Sequence, residues 1–215
     1  MPIVKDGLLY VAAGVSAGLA VFYLAGPAWA SPFFLAALFT AWFFRDPRRS
    51  PPSGDDLLLS PADGRVIRVE PVNGDPEVSR GTVVSIFMSI FNVHVNRCPI
   101  TGSVSDIRYH RGRFKAAFKE DAGDCNERNE VIFEKNGARV RCVQIAGLVA
   151  RRIVCRLSRS EAVEAGQKYG LIKFGSRVDV YIPSIYVIAV EKGEKTRGGT
   201  TVLARMKEAV DEKEA

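Results

Sequence analysis

The chemistry this chain can do rests on few residues. It has only two histidines, His94 and His110. His94 lies in the apolar run "FNVHVNRCP"; taken alone, such a histidine reads as a satisfied core residue. His110, in "RYHRGRF", sits among charges and is expected to be exposed. Asp63 stands in "SPADG". An Asp-Gly turn needs no function, because the carboxylate bonds its own backbone and the glycine takes positive φ. In "GLIKFGSRVDVYIP" the pair Gly175-Ser176 separates two β-prone runs. A glycine inside a strand pattern marks a bulge or a close approach to the backbone, and the serine after it is a turn residue or a nucleophile. No Gly-x-Ser-x-Gly elbow is present. Asp, His and Ser can still form a triad, which is defined by geometry and not by order in the chain. The four cysteines, at 98, 125, 142 and 155, lack the spacing of a zinc clip. They read as reduced thiols of a cytoplasmic protein, and no metal is expected.

The elements that must position these groups fall into two parts. From Gly7 to Phe44 there is no charged side chain, although the chain carries 30 Lys and Arg and a net charge of +6. Thirty-eight uncharged residues exceed one membrane span of about 20. Split at Gly26-Pro27, the stretch gives two short apolar helices, 8–25 and 33–44, as a membrane hairpin. Gly14 and Gly18 form a G-x-x-x-G that would seat one helix on the other. Lys5 before the first helix and Arg45, Arg48 and Arg49 after the second put both ends in the cytoplasm. A cleaved signal peptide ending at Ala28-Trp29-Ala30 and a buried soluble helix pair are the competing readings; the second apolar run and the lack of charge count against them.

The linker "RDPRRSPPSGDD" (45–56) stops any helix. The expected domains are therefore 1–49, the hairpin, and 50–215, a β-rich domain with its first strand near Leu57. Strands are expected in 57–72, around a turn at Pro61–Gly64, and in 81–98, 129–147, 151–157, 176–183 and 186–191. Asn136-Gly137 predicts a type I′ hairpin. A helix is expected over 160–166 behind Ser158 or Ser160, and a short or frayed helix in the tail from Arg205. The fold class is mainly β, closed or sandwiched. No zinc finger, RRM signature or basic-aromatic array points to nucleic acid.

Four motifs in this order, "FFRDP" after apolar helices, "LSPADGRV", "FNVHVNRCPITG" and "KFGSRVDVYIP", resemble the phosphatidylserine decarboxylases, in particular their short prokaryotic membrane-associated branch. The resemblance spans roughly residues 40–205. It implies self-cleavage between Gly175 and Ser176 into chains 1–175 and 176–215 that stay together as a heterodimer. It further implies conversion of Ser176 to a covalent pyruvoyl cofactor, with His94 as base and Asp63 supporting the imidazole. The ketone would be the electron sink for decarboxylating phosphatidylserine to phosphatidylethanolamine at the cell membrane, on the cytoplasmic side. Many members carry Gly-Ser-Thr or Gly-Ser-Ser at the cut, where this chain has Gly175-Ser176-Arg177.

Three rivals remain at this stage: a pyruvoyl decarboxylase of a free amino acid, one acting on an ether-lipid relative, and a membrane-tethered lipoyl- or biotin-carrier-like module. The first does not explain the charge-free N-terminus. The second presents the same head group, and the third lacks a lysine in a tight hairpin. Homo-oligomerisation is left open.

Overall fold

The computed structural model describes residues 2–115, 117, 122–148, 152–173 and 175–207. The chain divides into two compact units, Met1–Arg48 with Phe91–Val93, and Arg49–Ile90 with His94–Ala215.

The first unit is a pair of helices, α1 (Lys5–Ala25) and α2 (Pro27–Phe43). Only Gly26, at φ +86°, interrupts them. Residues 27–32, left outside both expected helices, form the start of α2. Proline suits the first helical position, where no intrahelical N–H bond is lost. Pro32 cannot donate to the Ala28 carbonyl, and the Ser31 hydroxyl takes that carbonyl instead at 2.8 Å. The helices pack antiparallel through glycines. A β-carbon on Gly14 would lie 3.1 Å from Ala37 Cβ, and one on Gly18 2.9 Å from the Phe34 ring, so the G-x-x-x-G seats the pair. The two ends are zipped together: Val4 N–H donates to Phe44 O (3.0 Å) and Asp46 N–H to Pro2 O (2.8 Å). With 21 residues, α1 is about 31 Å long at 1.5 Å per residue, long and apolar enough to cross a membrane. With 17 residues, α2 reaches about 25 Å. Their apolar side chains point outward: Leu24 is 87% and Trp29 71% exposed.

The second unit holds β1 (Leu57–Leu59), β2 (Gly64–Asp75), β3 (Ser79–Met88), β4 (Val95–Arg97), β5 (Gly102–His110), a one-turn α3 (Ala122–Cys125), β6 (Arg128–Lys135) and β7 (Ala138–Ile145). It continues with β8 (Ile153–Cys155), β9 (Ala162–Val163), β10 (Lys168–Ile172), β11 (Ser176–Pro183), β12 (Tyr186–Ile188), β13 (Lys195–Thr196) and β14 (Val202–Met206). Eight strands form one antiparallel sheet in the order β13-β2-β3-β11-β7-β6-β5-β9; β1-β14-β12 and β4-β10-β8 form two smaller ones. All three sheets send side chains into one core, with Leu58 and Leu203 from the second, Tyr169 and Ile172 from the third, and Ile86, Phe133 and Val180 from the first. The fold is mainly β.

Asn136 (φ +51°) and Gly137 (φ +79°) close the β6–β7 hairpin as type I′ turn chemistry requires. Two expectations need correction, and a third is met at its start by a strand. The run 81–98 is two strands, because the chain leaves the sheet after Met88 and re-enters another at Val95. The helix expected over 160–166 is absent. Ser160 takes φ +64°, and pairing with neighbouring strands uses its backbone: Ser160 N–H donates to Val104 O, and Val104 N–H to Glu161 O. Seven residues are too few to hold a helix by themselves, and sheet pairing wins. The tail opens as the end of β14, and 208–215 lie outside the described residues.

Candidate active site

β10 belongs to a three-stranded sheet and β11 to the eight-stranded one, so the chain changes sheets between Ile172 and Ser176. Gly175 sits at this corner with φ +53°. A β-carbon there would meet nothing within 4 Å; the left-handed backbone, not lack of space, selects glycine. At Gly147 space decides. A β-carbon there would collide with the Gly175 carbonyl oxygen and stand 3.3 Å from Ala117 Cβ. Two glycines thus let the chain turn and bring the Gly175 carbonyl flat against a neighbouring backbone.

Ser176 opens β11, the strand flanked by β3 and β7. It is fully buried. Its backbone pairs with Met88 at the end of β3, and its hydroxyl donates to the Met88 thioether at 3.5 Å. His94 is 2% exposed. It immediately precedes β4, which pairs with β10, and its carbonyl accepts the Ile172 N–H at 3.3 Å, three residues before Gly175. Asp63 lies in the turn before β2. Since Arg65 pairs with Phe87 and Phe87 with Arg177, that turn and the Gly175-Ser176 bond lie at the same end of the sheet. They are two strand spacings apart, roughly 10 Å between backbones. The Asp63 carboxylate is held from two sides, by Arg49 at 2.7 Å and by the Gly198 N–H at 2.7 Å.

His110 is placed differently. Its side chain is 38% exposed and reaches Glu130 at 3.2 Å. The register runs His110 to Arg128, Arg128 to Ile145 and Ile145 to Arg177. Residues paired across a sheet share a face, and neighbours along a strand alternate. His110 therefore lies on the face of Arg177, opposite Ser176.

The model of the family described as Phosphatidylserine decarboxylase matches residues 36–204. A protein named "Phosphatidylserine decarboxylase proenzyme" from Chlorobium phaeovibrioides is 45% identical over 199 residues, covering 90% of this chain and 91% of its own. One of the same name from Polynucleobacter asymbioticus is 45% identical over 205 residues, 95% of each chain. Another from Chlorobium luteolum is 50% identical over 167 residues, 78% of this chain and 79% of its own. The chain belongs to the phosphatidylserine decarboxylase family.

For this member of the phosphatidylserine decarboxylase family, the structure accounts for the arginine after the serine. Arg177 turns away from Ser176 and is 3% exposed. Its Nη2 donates to Asp179 Oδ2 at 3.0 Å, its Nε lies 2.9 Å from Oδ1, and Nη1 donates to the Ala117 carbonyl at 3.0 Å. Burial pushes the Asp179 carboxyl up from its ordinary range, against the pull of the Arg177 charge. Both belong to a charged outer face that encloses a polar cavity of about 130 Å³ lined by Arg128, Glu130, Arg141, Asp179 and Tyr181. The four thiols are free, and burial raises Cys98 to about 12.

Sequence reasoning missed Arg49, Met88, Gly147 and Gly198. In the sequence Arg49 reads only as a linker residue and a flanking positive charge. Gly147, following the hairpin in "VQIAG", is the one with a local signal, a glycine just beyond a strand.

Proposed function

We propose that this chain decarboxylates phosphatidylserine to phosphatidylethanolamine and carbon dioxide, using a pyruvoyl group made from its own Ser176. The observation that carries this is the corner itself, in a chain of this family. There a left-handed glycine, its carbonyl seated on Gly147, precedes a fully buried serine.

Cleavage follows from the chain's own groups. Ser176 Oγ bonds to the Gly175 carbonyl carbon, the Gly175–Ser176 C–N bond breaks, and the hydroxyl proton passes by way of His94 to the freed amine. The amide becomes an ester. Loss of the Ser176 α-proton expels the Gly175 carboxylate and leaves an enamine. Water then releases ammonia and leaves the ketone. A nearly dry imidazole suits the base, since a weak hydroxyl nucleophile needs an adjacent acceptor for its proton. Asp63, itself fixed by Arg49, supports the charge that His94 gains.

The surroundings fit the resulting group. It keeps the serine Cα and Cβ and exchanges a nitrogen for an oxygen, so the space that encloses Ser176 accommodates it without repacking. Once formed, the pyruvoyl supplies an electron sink for decarboxylation. His94 then holds the proton that the product needs, and the buried end of β11 excludes water. The two products stay together because the small chain would contribute β11, paired on both sides by strands of the large chain, and β14, paired with β1.

The division into a hairpin (1–49) and a catalytic domain (50–215) belongs to the same proposal. The outward-facing apolar helices anchor the enzyme in the membrane that holds its substrate. Lys5 and the Arg45–Arg49 cluster keep both ends on the cytoplasmic side. Deleting 1–44 is expected to move the protein from the membrane to the soluble fraction and to cost more activity on bilayers than on detergent-dispersed lipid; equal losses would place the helices in the catalytic core.

The decisive test is mass under denaturing conditions together with phosphatidylethanolamine formation. The expected species are 1–175 and 176–215, the latter without a free N-terminal amine. An active preparation containing only the intact chain would overturn the mechanism.

A further inference from the structure

Ser176 ends a line of buried polar groups that the cleavage chemistry above does not use. Its hydroxyl donates to Met88 Sδ at 3.5 Å, and Asn96 Nδ2 donates to the same sulfur at 3.8 Å. Gln144 Nε2 donates to Asn96 Oδ1 at 2.8 Å, and Asn129 Nδ2 to Gln144 Oε1 at 2.9 Å. Ser176, Met88, Asn96 and Gln144 are fully buried, and Asn129 is 4% exposed. Asn129 and Gln144 are directly paired across β6 and β7, so the far end of the line is anchored in the sheet ladder.

Three carboxamides inside an apolar core are costly unless satisfied; a satisfied chain of them rigidifies what it touches. This one ends on a thioether, an otherwise flexible, unbranched side chain. The amide donors all run toward the sulfur and hold it in place. The sulfur in turn accepts the serine proton, which fixes the rotamer of the hydroxyl. A thioether is a weak acceptor, so it orders the hydroxyl without competing strongly with a base for its proton.

We infer that Met88 is a positioning residue for self-cleavage: its sulfur, held by the Asn129–Gln144–Asn96 line, sets the Ser176 hydroxyl in its attacking orientation. The inference rests on the reading of Ser176 as the nucleophile.

The chain has three methionines, Met1, Met88 and Met206, so replacing methionine by norleucine exchanges the buried sulfur for a methylene of nearly the same shape. Precursor made by cell-free translation is followed by intact mass over time. The norleucine precursor is expected to cleave about five- to tenfold more slowly, the equivalent of one net hydrogen bond. The pH midpoint of its cleavage should stay unchanged, because the base is untouched, while its melting temperature should fall slightly as Asn96 Nδ2 loses its acceptor. Met88→Leu should act in the same direction. In a Ser176→Cys precursor the sulfur should matter by less than about twofold, since a thiol is a poor donor. Equal cleavage rates for methionine and norleucine precursors would overturn the inference while leaving Ser176 as nucleophile. Equal slowing of the serine and cysteine precursors would reduce Met88 to a packing residue. A wild-type precursor that never cleaves would overturn the reading of Ser176 and this inference with it.

Discussion

The two faces of β11 solve opposite problems with adjacent residues. On the core face, the Ser176 hydroxyl has a weak acceptor as its partner, the Met88 thioether. On the outer face, one residue along, Arg177 is locked by charge-assisted contacts to Asp179 and by a bond to the Ala117 carbonyl. Both residues are buried. On the proposed reading, the group that reacts is held loosely enough to leave its partner, whereas the group that stays is held by charge. Strand alternation separates the two tasks without any intervening structure.

The sharpest way to break this comparison is to remove the reacting group. Ser176→Ala deletes the attacking oxygen, and no detectable 176–215 fragment is expected by mass, in a protein that still folds because a buried methyl group remains in place of the serine side chain. A cleaved Ser176→Ala chain would mean that the core face is not where the chemistry happens.

The histidines give the next largest contrast, since one lies beside β10 near the corner and the other on the outer face. His94→Ala should slow cleavage by about 10²-fold or more, the usual worth of a general base. His110→Ala removes a contact to Glu130 at 3.2 Å and should leave the cleavage time course within about twofold, as expected of a partly exposed pair. The reverse ranking would move the base to the other face.

The faces themselves were only partly legible beforehand. Alternating apolar residues from Val178 to Ile182 announce a strand, and Asn136-Gly137 announces a hairpin, because both signals are local. The motif strings brought Asp63, His94 and Ser176 forward. They are silent on Met88 and Gly147, which reach the corner through register between strands distant in sequence. β5 went unread for a related reason: "GSVSDIRYH" carries a glycine and polar residues that only its partners in the sheet make strand-like. The segment 160–166 shows the same effect with the opposite sign, since its local helix signals yielded to pairing with Val104.

The outer face can be tested for stability in the uncleavable Ser176→Ala background, where a single chain unfolds. Asp179→Leu leaves the Arg177 guanidinium buried without its carboxylate and should cost about 3–5 kcal/mol in urea unfolding. Pairing it with Arg177→Met removes both charges and should recover most of that loss. If the double variant is as unstable as the single one, the Ala117 carbonyl bond, and not the ion pair, is what the arginine contributes.

The smallest effect belongs to a pair of the same chemistry at the surface. Arg68 reaches Glu70 at 2.7 Å, shorter than the contact between Arg177 and Asp179, but their side chains are 39% and 56% exposed. Water competes for both groups, salt screens them, and holding two long side chains in one geometry costs entropy. Glu70→Ala should therefore shift stability by less than about 1 kcal/mol, and the shift should shrink further in high salt. The measurement is the urea midpoint, with an unchanged m-value showing that the unfolded state is the same. A loss as large as that of Asp179→Leu would mean that contact distance, and not burial, ranks the ion pairs of this sheet, and the outer face of β11 would no longer be distinguished by being closed to water.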